Sequence, residues 1–241
     1  FGGTNEASGF IFLGILCGLM AVLVLSITVR FVKEREFNSS LIQLPSFAKV
    51  FKSVANNYPF WIVFASILIL GSTSIMFNNN LIYFVKYSLD LHEYQGLILG
   101  ISSGSALLAI PLWAYAALKI GKRNSWMASM TLLIIGFLFF YFSPINSLNE
   151  LLLILGFIGI GNGATGVLFW SMLPDTIEYG EWKTGVRTES SLYGFMTFAQ
   201  KAAIALAALL LGLVLTQIGF EPNTVQTEQT LYELKFIMTW I

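Results

Sequence analysis

The stretch SMLPDTIEYGEWKTGVRTESSLYGFMTFAQKAAIALAALL, residues 171–210, decides how this chain is read. It crowds Asp175, Glu178, Glu181, Lys183, Arg187 and Glu189 into one short run, then enters an apolar segment whose only charge is Lys201. Charge is cheap in water and costs about 2.5 to 3.5 kcal/mol per group at a bilayer centre on insertion scales. The run therefore reads as a membrane-surface loop that leads into a spanning helix.

Composition agrees with that reading. The chain has 241 residues, 56% of them hydrophobic and 11% charged, with a mean hydropathy of +0.75. Soluble domains carry about 25% charged residues, so this is a membrane protein. Lys+Arg and Asp+Glu both number 13, and this balance gives no reason to expect nucleic acid as a partner. The lone Cys17 has no partner for an internal disulfide. The chain opens with Phe1 and has no basic segment before its first apolar run, so that run is not read as a signal peptide. It reads as part of a longer protein.

A spanning helix needs about 20 largely uncharged residues. Six windows meet this: Gly9 to Val29, Tyr58 to Val85, Tyr94 to Leu118, Asn124 to Asn149 (helical to about Phe142), Leu151 to Pro174, and Ser190 to Phe220. A seventh begins near Leu231 and stops at Ile241. Alternate connections hold Arg30, Lys33, Arg35, Lys49, Lys52, Lys119, Lys122, Arg123, Lys183 and Arg187, whereas the other set holds Lys86 and Lys235. Ten against two puts the first set in the cytoplasm and the chain start outside. Three parts follow: residues 1–29 as one helix, 30–57 as a cytoplasmic linker, and 58–241 as a helical bundle with a cut-off last helix. Within the linker, SFAKVFKSV spaces Phe47, Val50, Phe51 and Val54 helically, with Lys49 and Lys52 away from them. This short amphipathic helix lies either in the inner interface or against the protein itself.

Polar residues within the spans mark candidate sites. Lys201 stands twelve residues past Glu189, about 18 Å along a helix, and an ionisable group at that depth is a site hypothesis by default. Tyr193, Thr197, Gln200 and Lys201 fall at i, i+4, i+7 and i+8, on one helix face. The alternative is a lysine neutralised by burial or held by a carbonyl in the bundle. Three consecutive asparagines, Asn78 to Asn80, cannot all line one cavity from a regular helix. A break there, as in discontinuous transporter helices, is the favoured expectation; in an intact helix Asn79 and Tyr83, which share a face with Ser72, are the candidates. Gly159 and Gly163 form a GxxxG pair suited to close helix packing. Asn162 and Trp170 are the possible solute contacts of that span, Trp170 equally as an interfacial anchor. Pro111 should bend the third span, and the Gly121-Lys122-Arg123 turn reads as an orientation pin.

With PDTIEYGEWKTGVRTES on the inner face ahead of YGFMTFAQK, the chain resembles the glycoside-pentoside-hexuronide:cation symporters, the melibiose permease-like group of the major facilitator superfamily. The resemblance is carried most specifically by Asp175, Glu178, Tyr179, Gly180, Glu181, Gly185, Arg187 and Glu189. It implies an all-α bundle in which the six spans are helices six to eleven and the seventh is the start of helix twelve. It also implies a missing N-terminal half that supplies the acidic cation site, since no carboxylate here lies inside a span. Lys201 and Thr197 match positions at the family's sugar and cation cavity, whereas Gln200 replaces an apolar residue. The charge cluster would act as a cytoplasmic gate; a merely solvated loop is the alternative, because surface ion pairs are individually weak.

The resulting expectation is alternating-access transport of a glycoside, oligosaccharide or uronide, coupled to Na⁺ or H⁺, in a bacterial cytoplasmic membrane, with no other cofactor. A lysolipid or other amphipathic-solute carrier is the alternative within the same fold. An intramembrane enzyme is disfavoured, because the only histidine, His92, falls in an outer loop and Cys17 stands alone.

Overall fold

A computed structural model of the chain describes residues 6–32, 46–145, 147–222 and 224–240. The helices run in the order α1 (Glu6–Phe31), α2 (Phe47–Ala55), α3 (Tyr58–Tyr87), α4 (Gln95–Ile120), α5 (Lys122–Phe142), α6 (Leu148–Thr184), α7 (Glu189–Gln217) and α8 (Glu228–Trp240), with a 3-10 turn at His92–Tyr94. Six of them, α1 and α3 to α7, are long and apolar enough to cross a bilayer. The chain is an all-α polytopic membrane protein. The linker residues Lys33 and Arg35 lie outside the described residues, as do Pro45 and the terminal Ile241.

The chain divides into two units, Phe1–Leu44 and Pro45–Ile241. In the first, α1 is an uninterrupted, largely apolar helix of 26 residues that carries Arg30 in its last turn. The Ser26 and Thr28 hydroxyls donate back to the Val22 and Val24 carbonyls at 2.7 and 2.9 Å. Such back-bonding satisfies hydroxyl donors within a span, where apolar neighbours offer no acceptor.

In the second unit α6 is the central element, packing on α4 and α5, while α3 packs chiefly on α7 and α8 completes the unit against α3 and α5. The GxxxG pair explains how close α4 comes. A Cβ at Gly159 would collide with the Ser102 carbonyl and the Ser105 side chain, and one at Gly163 with the Ala106 carbonyl. Trp113 Nε1 donates to the Ile160 carbonyl at 2.7 Å across the same seam, satisfying an indole N–H that would otherwise be stranded in apolar surroundings.

Helix starts follow from local chemistry. Asn57 caps α3 by accepting from Phe60 N at 3.2 Å, with a proline in the first turn where a missing N–H costs nothing. Ser147 caps α6 by accepting from Glu150 N at 3.3 Å. Gly185 ends α6 in the left-handed conformation, φ 68°, which glycine adopts without a Cβ penalty.

Two expectations are corrected. First, α3 is continuous through Asn78, Asn79 and Asn80. Each amide has its own surroundings: Asn78 Nδ2 donates to the Ser74 carbonyl at 2.8 Å, Asn80 Nδ2 donates to the Leu234 carbonyl of α8 at 3.0 Å, and Asn79 is exposed. Separate partners for separate faces make a break unnecessary. Second, the charge cluster is mainly helix. The span read as ending at Pro174 continues to Thr184, because Leu173, Thr176, Ile177 and Gly180 are buried at helical spacing beyond the proline. The surface turn is confined to residues 185–188.

The end of the second unit that carries Lys119, Lys122, Lys183 and Arg187 also carries α2, and is called here the basic end. α2 rests on the bundle through Ser53 and Val54, which are buried, while Phe47 and Phe51, flanking Val54 around the helix, are exposed.

Candidate functional site

On α7 the buried stripe is Leu192, Met196, Ala199, Ala203, Ala207 and Leu211. It faces α3: Ser72 Oγ donates to the Ala203 carbonyl at 3.2 Å, and Gly71 lets the Ala203 methyl approach. Tyr193, Thr197 and Lys201 therefore lie together off this stripe and are exposed, with Gln200 half-buried at its edge. The Thr197 hydroxyl donates to the Tyr193 carbonyl at 2.9 Å, which fixes its rotamer and leaves its lone pairs outward. Lys201 is close to the middle of this 29-residue helix, and among the described residues it has no hydrogen bond or ion pair. A lysine at mid-span cannot face hydrocarbon cheaply. Its face must meet water, solute or further protein.

Other candidates are distributed differently. Helices α3 and α7 both start at the basic end, and Ser72 is level with Ala203, so Asn79 stands nine residues beyond the height of Lys201, roughly 13 Å at about 1.5 Å per residue. Tyr83 is further along still and half-buried, its ring 5.1 Å from that of Phe220. The fold thus groups Lys201, Thr197 and Tyr193 but not Asn79 or Tyr83. Trp170 is 39% exposed; its neighbour Phe169 packs with Leu192, Met196 and Ala199, which sets Trp170 near the height of Thr197.

A cavity of about 420 Å³ lies on the side of α3 away from α7, lined by Ser74, Asn78, Asn80, Phe137, Asn162 and Met238 among others. Asn162 Nδ2 donates to Ser74 Oγ there at 3.5 Å, and Asn80 Oδ1 has no hydrogen-bond partner among the described residues. None of Lys201, Thr197, Gln200, Tyr193, Asn79, Tyr83 or Trp170 lines it. It is a space within the bundle, apart from the polar face of α7.

The residues expected to form a gate separate into two groups. Arg187 pairs with Glu181 at 3.1 Å and with Glu189 at 2.9 Å, bridging the end of α6 to the start of α7. Hydrogen bonding to Glu189, with the fields of Glu189 and Glu181, holds its guanidinium above the usual arginine value. Asp175 belongs elsewhere: it accepts from Lys122 Nζ at 2.7 and 2.8 Å. Lys122, read from sequence as an orientation pin, is thus the counter-ion of Asp175. No local signal links two residues 53 positions apart. Glu178 is exposed, and Tyr179 stacks 5.9 Å from Trp182 with Lys183 over its ring at 5.6 Å.

Gly180 has a packing role that sequence did not reveal. A Cβ there would lie 2.7 Å from Asn57 Nδ2, whose amide donates to the Thr176 carbonyl at 2.8 Å. Ser53 and Thr184 share a hydroxyl hydrogen bond of 2.7 Å, and Lys183 Nζ donates to the Asn56 carbonyl at 3.0 Å. Together these bonds fasten α2 and the start of α3 to the last turns of α6.

This geometry, a helical bundle with a polar mid-span face and a charged helix–turn–helix at one end, meets a family model described as MFS/sugar transport protein over residues 1–241. The chain belongs to that family. It is 30% identical over 239 residues to a protein of Escherichia coli (strain K12) provisionally named as a 2,3-dihydroxypropane-1-sulfonate exporter, covering 96% of this chain and 50% of that one. It is 28% identical to the isoprimeverose transporter of Lactiplantibacillus pentosus, covering 100% of this chain and 50% of the relative. It is also 28% identical to the glucuronide carrier protein homolog of Escherichia coli (strain K12), covering 86% and 46%. The chain spans about half the length of the curated relatives it matches. These relatives are transporters rather than enzymes, in keeping with the resemblance carried by the charged run.

Proposed function

We propose that the intact protein is a secondary active transporter that moves a glycoside, oligosaccharide or uronide together with Na⁺ or H⁺ by alternating access. The observation that carries this is Lys201: without a hydrogen bond or ion pair among the described residues, exposed at mid-span, and aligned with Thr197 and Tyr193. A cation there can hold a solute carboxylate, sulfonate or hydroxyl, while the tyrosine supplies an aromatic face with a polar tip. Trp170 and Gln200 flank this face as further contacts.

The polar face of α7 then lines a cavity closed on its other side by a preceding helical half, which also supplies the acidic coupling site. The excess of Lys and Arg supports a cytoplasmic location for the basic end, in a bacterial inner membrane with the chain start outside. Arg187 with Glu181 and Glu189, and Asp175 with Lys122, form the inner gate.

The test is a binding screen of neutral glycosides, uronides and sulfonated sugars on the intact protein by calorimetry, with and without Na⁺. Binding of one sugar class, tightened by Na⁺ or by acid pH, is expected. Binding of lysophospholipids in preference to every sugar would replace this reading with an amphipathic-solute carrier.

A further inference from the structure

The sequence and the fold leave one surface unused by transport: the outward side of α2. This helix presents three sectors. Ser53 and Val54 are buried at 1% and 3% exposure, with Val50 packed beside the same cluster. Phe47 and Phe51, one turn apart, are 85% and 64% exposed. Lys49 and Lys52 are exposed on the side away from the two rings.

The depth of α2 is fixed by its bonds. Trp61 Nε1, in the first turn of α3, donates to the Val54 carbonyl at 3.1 Å. Asn57 ties the α2–α3 junction to the Thr176 carbonyl at 2.8 Å, and Ser53 reaches Thr184. α2 is thus held beside the first turn of α3, where that apolar helix begins, and against the last turns of α6. Tyr58 and Trp61, both exposed, stand in the same turn, and aromatic side chains of this kind concentrate at the headgroup level.

A helix beside the start of a spanning helix, with two apolar rings on one side and two lysines on another, has the pattern of an interfacial helix. We propose that this face of α2 binds anionic phospholipid headgroups, its phenylalanines inserted at the acyl boundary and Lys49 and Lys52 paired with lipid phosphates. Charge complementarity selects the partner: two exposed lysines without acidic neighbours on the helix match a negatively charged leaflet, and each adds attraction near such a surface. Because α2 is hydrogen-bonded to the end of α6, lipid bound here would anchor the gate-bearing helix in the interface. The orientation proposed above decides only which leaflet is involved.

The test uses the intact transporter with Cys17 and any other native cysteine replaced, and Ala48→Cys labelled with bimane. The protein is placed in nanodiscs of phosphatidylcholine or of an equimolar mixture with phosphatidylglycerol, with a doxyl quencher on either lipid. Quenching by doxyl-phosphatidylglycerol should exceed that by doxyl-phosphatidylcholine by about threefold or more. The pair Lys49→Gln/Lys52→Gln should equalise the two lipids without abolishing quenching; Phe47→Ser/Phe51→Ser should weaken both. Unfolding temperature and gel-filtration profile identify variants that fail to fold, and the unsubstituted parent carries the decisive comparison. Equal quenching by both lipids in the parent would overturn the charge recognition. Absence of quenching by either would show that protein covers this face.

Discussion

Lys122 Nζ sits 2.7 and 2.8 Å from the two carboxylate oxygens of Asp175 and 2.8 Å from the Ser171 carbonyl, so one ammonium joins the first residue of α5 to a turn of α6. Its three donors are used on two kinds of acceptor: one is a charge, and the other is a carbonyl near the helix proline Pro174.

This arrangement predicts an incomplete charge swap. Lys122→Ala and Asp175→Ala should each lower stability modestly, with a coupling between them of about 0.2 to 1 kcal/mol, because both side chains are partly exposed. The reversed pair, Lys122→Asp with Asp175→Lys, should recover only part of the loss, since aspartate cannot donate to the Ser171 carbonyl. A thermal-unfolding double-mutant cycle in detergent measures this; full recovery would show the carbonyl bond to be irrelevant.

Gly180→Ala should be costly although the residue lies near the surface end of α6. The added Cβ would lie 2.7 Å from Asn57 Nδ2 and displace its bond to the Thr176 carbonyl, leaving a buried side-chain amide without its acceptor at roughly 1 to 3 kcal/mol. Asn57→Ala costs the same bond and also the α3 cap. The double variant should then lose less than the sum of the singles, and strict additivity would count against a shared origin.

Lys201→Ala should leave folding unchanged, because the side chain is exposed, while abolishing solute binding and uptake at normal expression. Lys201→Arg keeps the charge and should retain part of the binding, as a flat, forked guanidinium replaces a compact ammonium. Uptake by Lys201→Ala equal to that of the parent would remove this residue from the solute site.

Arg187→Gln should slow transport while leaving equilibrium binding measurable, since it unlinks α6 from α7 without touching the polar face. The sign of its pH dependence is fixed. A guanidinium held above its ordinary value contributes fully at all pH below that value and loses its contribution only on strong alkalinisation. Transport should therefore show no titration due to Arg187 between about pH 5 and 8. Loss of equilibrium solute binding in this variant would contradict a gating role.

Much of the fold was legible because its signals are local. Runs of uncharged residues marked α1 and α3 to α7, and the spacing of Phe47, Val50, Phe51 and Val54 marked α2. Helical periodicity alone aligned Tyr193, Thr197 and Lys201. The extension of α6 past Pro174 was missed because proline and charge both read as termination; burial of Leu173, Ile177 and Gly180 against other elements outweighed them. The asparagine run was misread for a related reason. Which partner each amide finds depends on the neighbours of α3, and one of them, the Leu234 carbonyl, comes from 154 residues away.

Sequence by itself determined that the chain is helical and membrane-spanning, that its basic residues collect at one end, and that Lys201 stands at a depth where charge is expensive. These follow from the free energy of moving single residues between water and hydrocarbon, which needs no knowledge of neighbours. Tertiary structure decided the pairings: Lys122 with Asp175, Asn57 beside Gly180, Tyr83 against Phe220, and Lys201 with none among the described residues. Such choices arise from which helix surfaces fit closely enough to exclude one another's side chains, and that fit is a property of two surfaces at once.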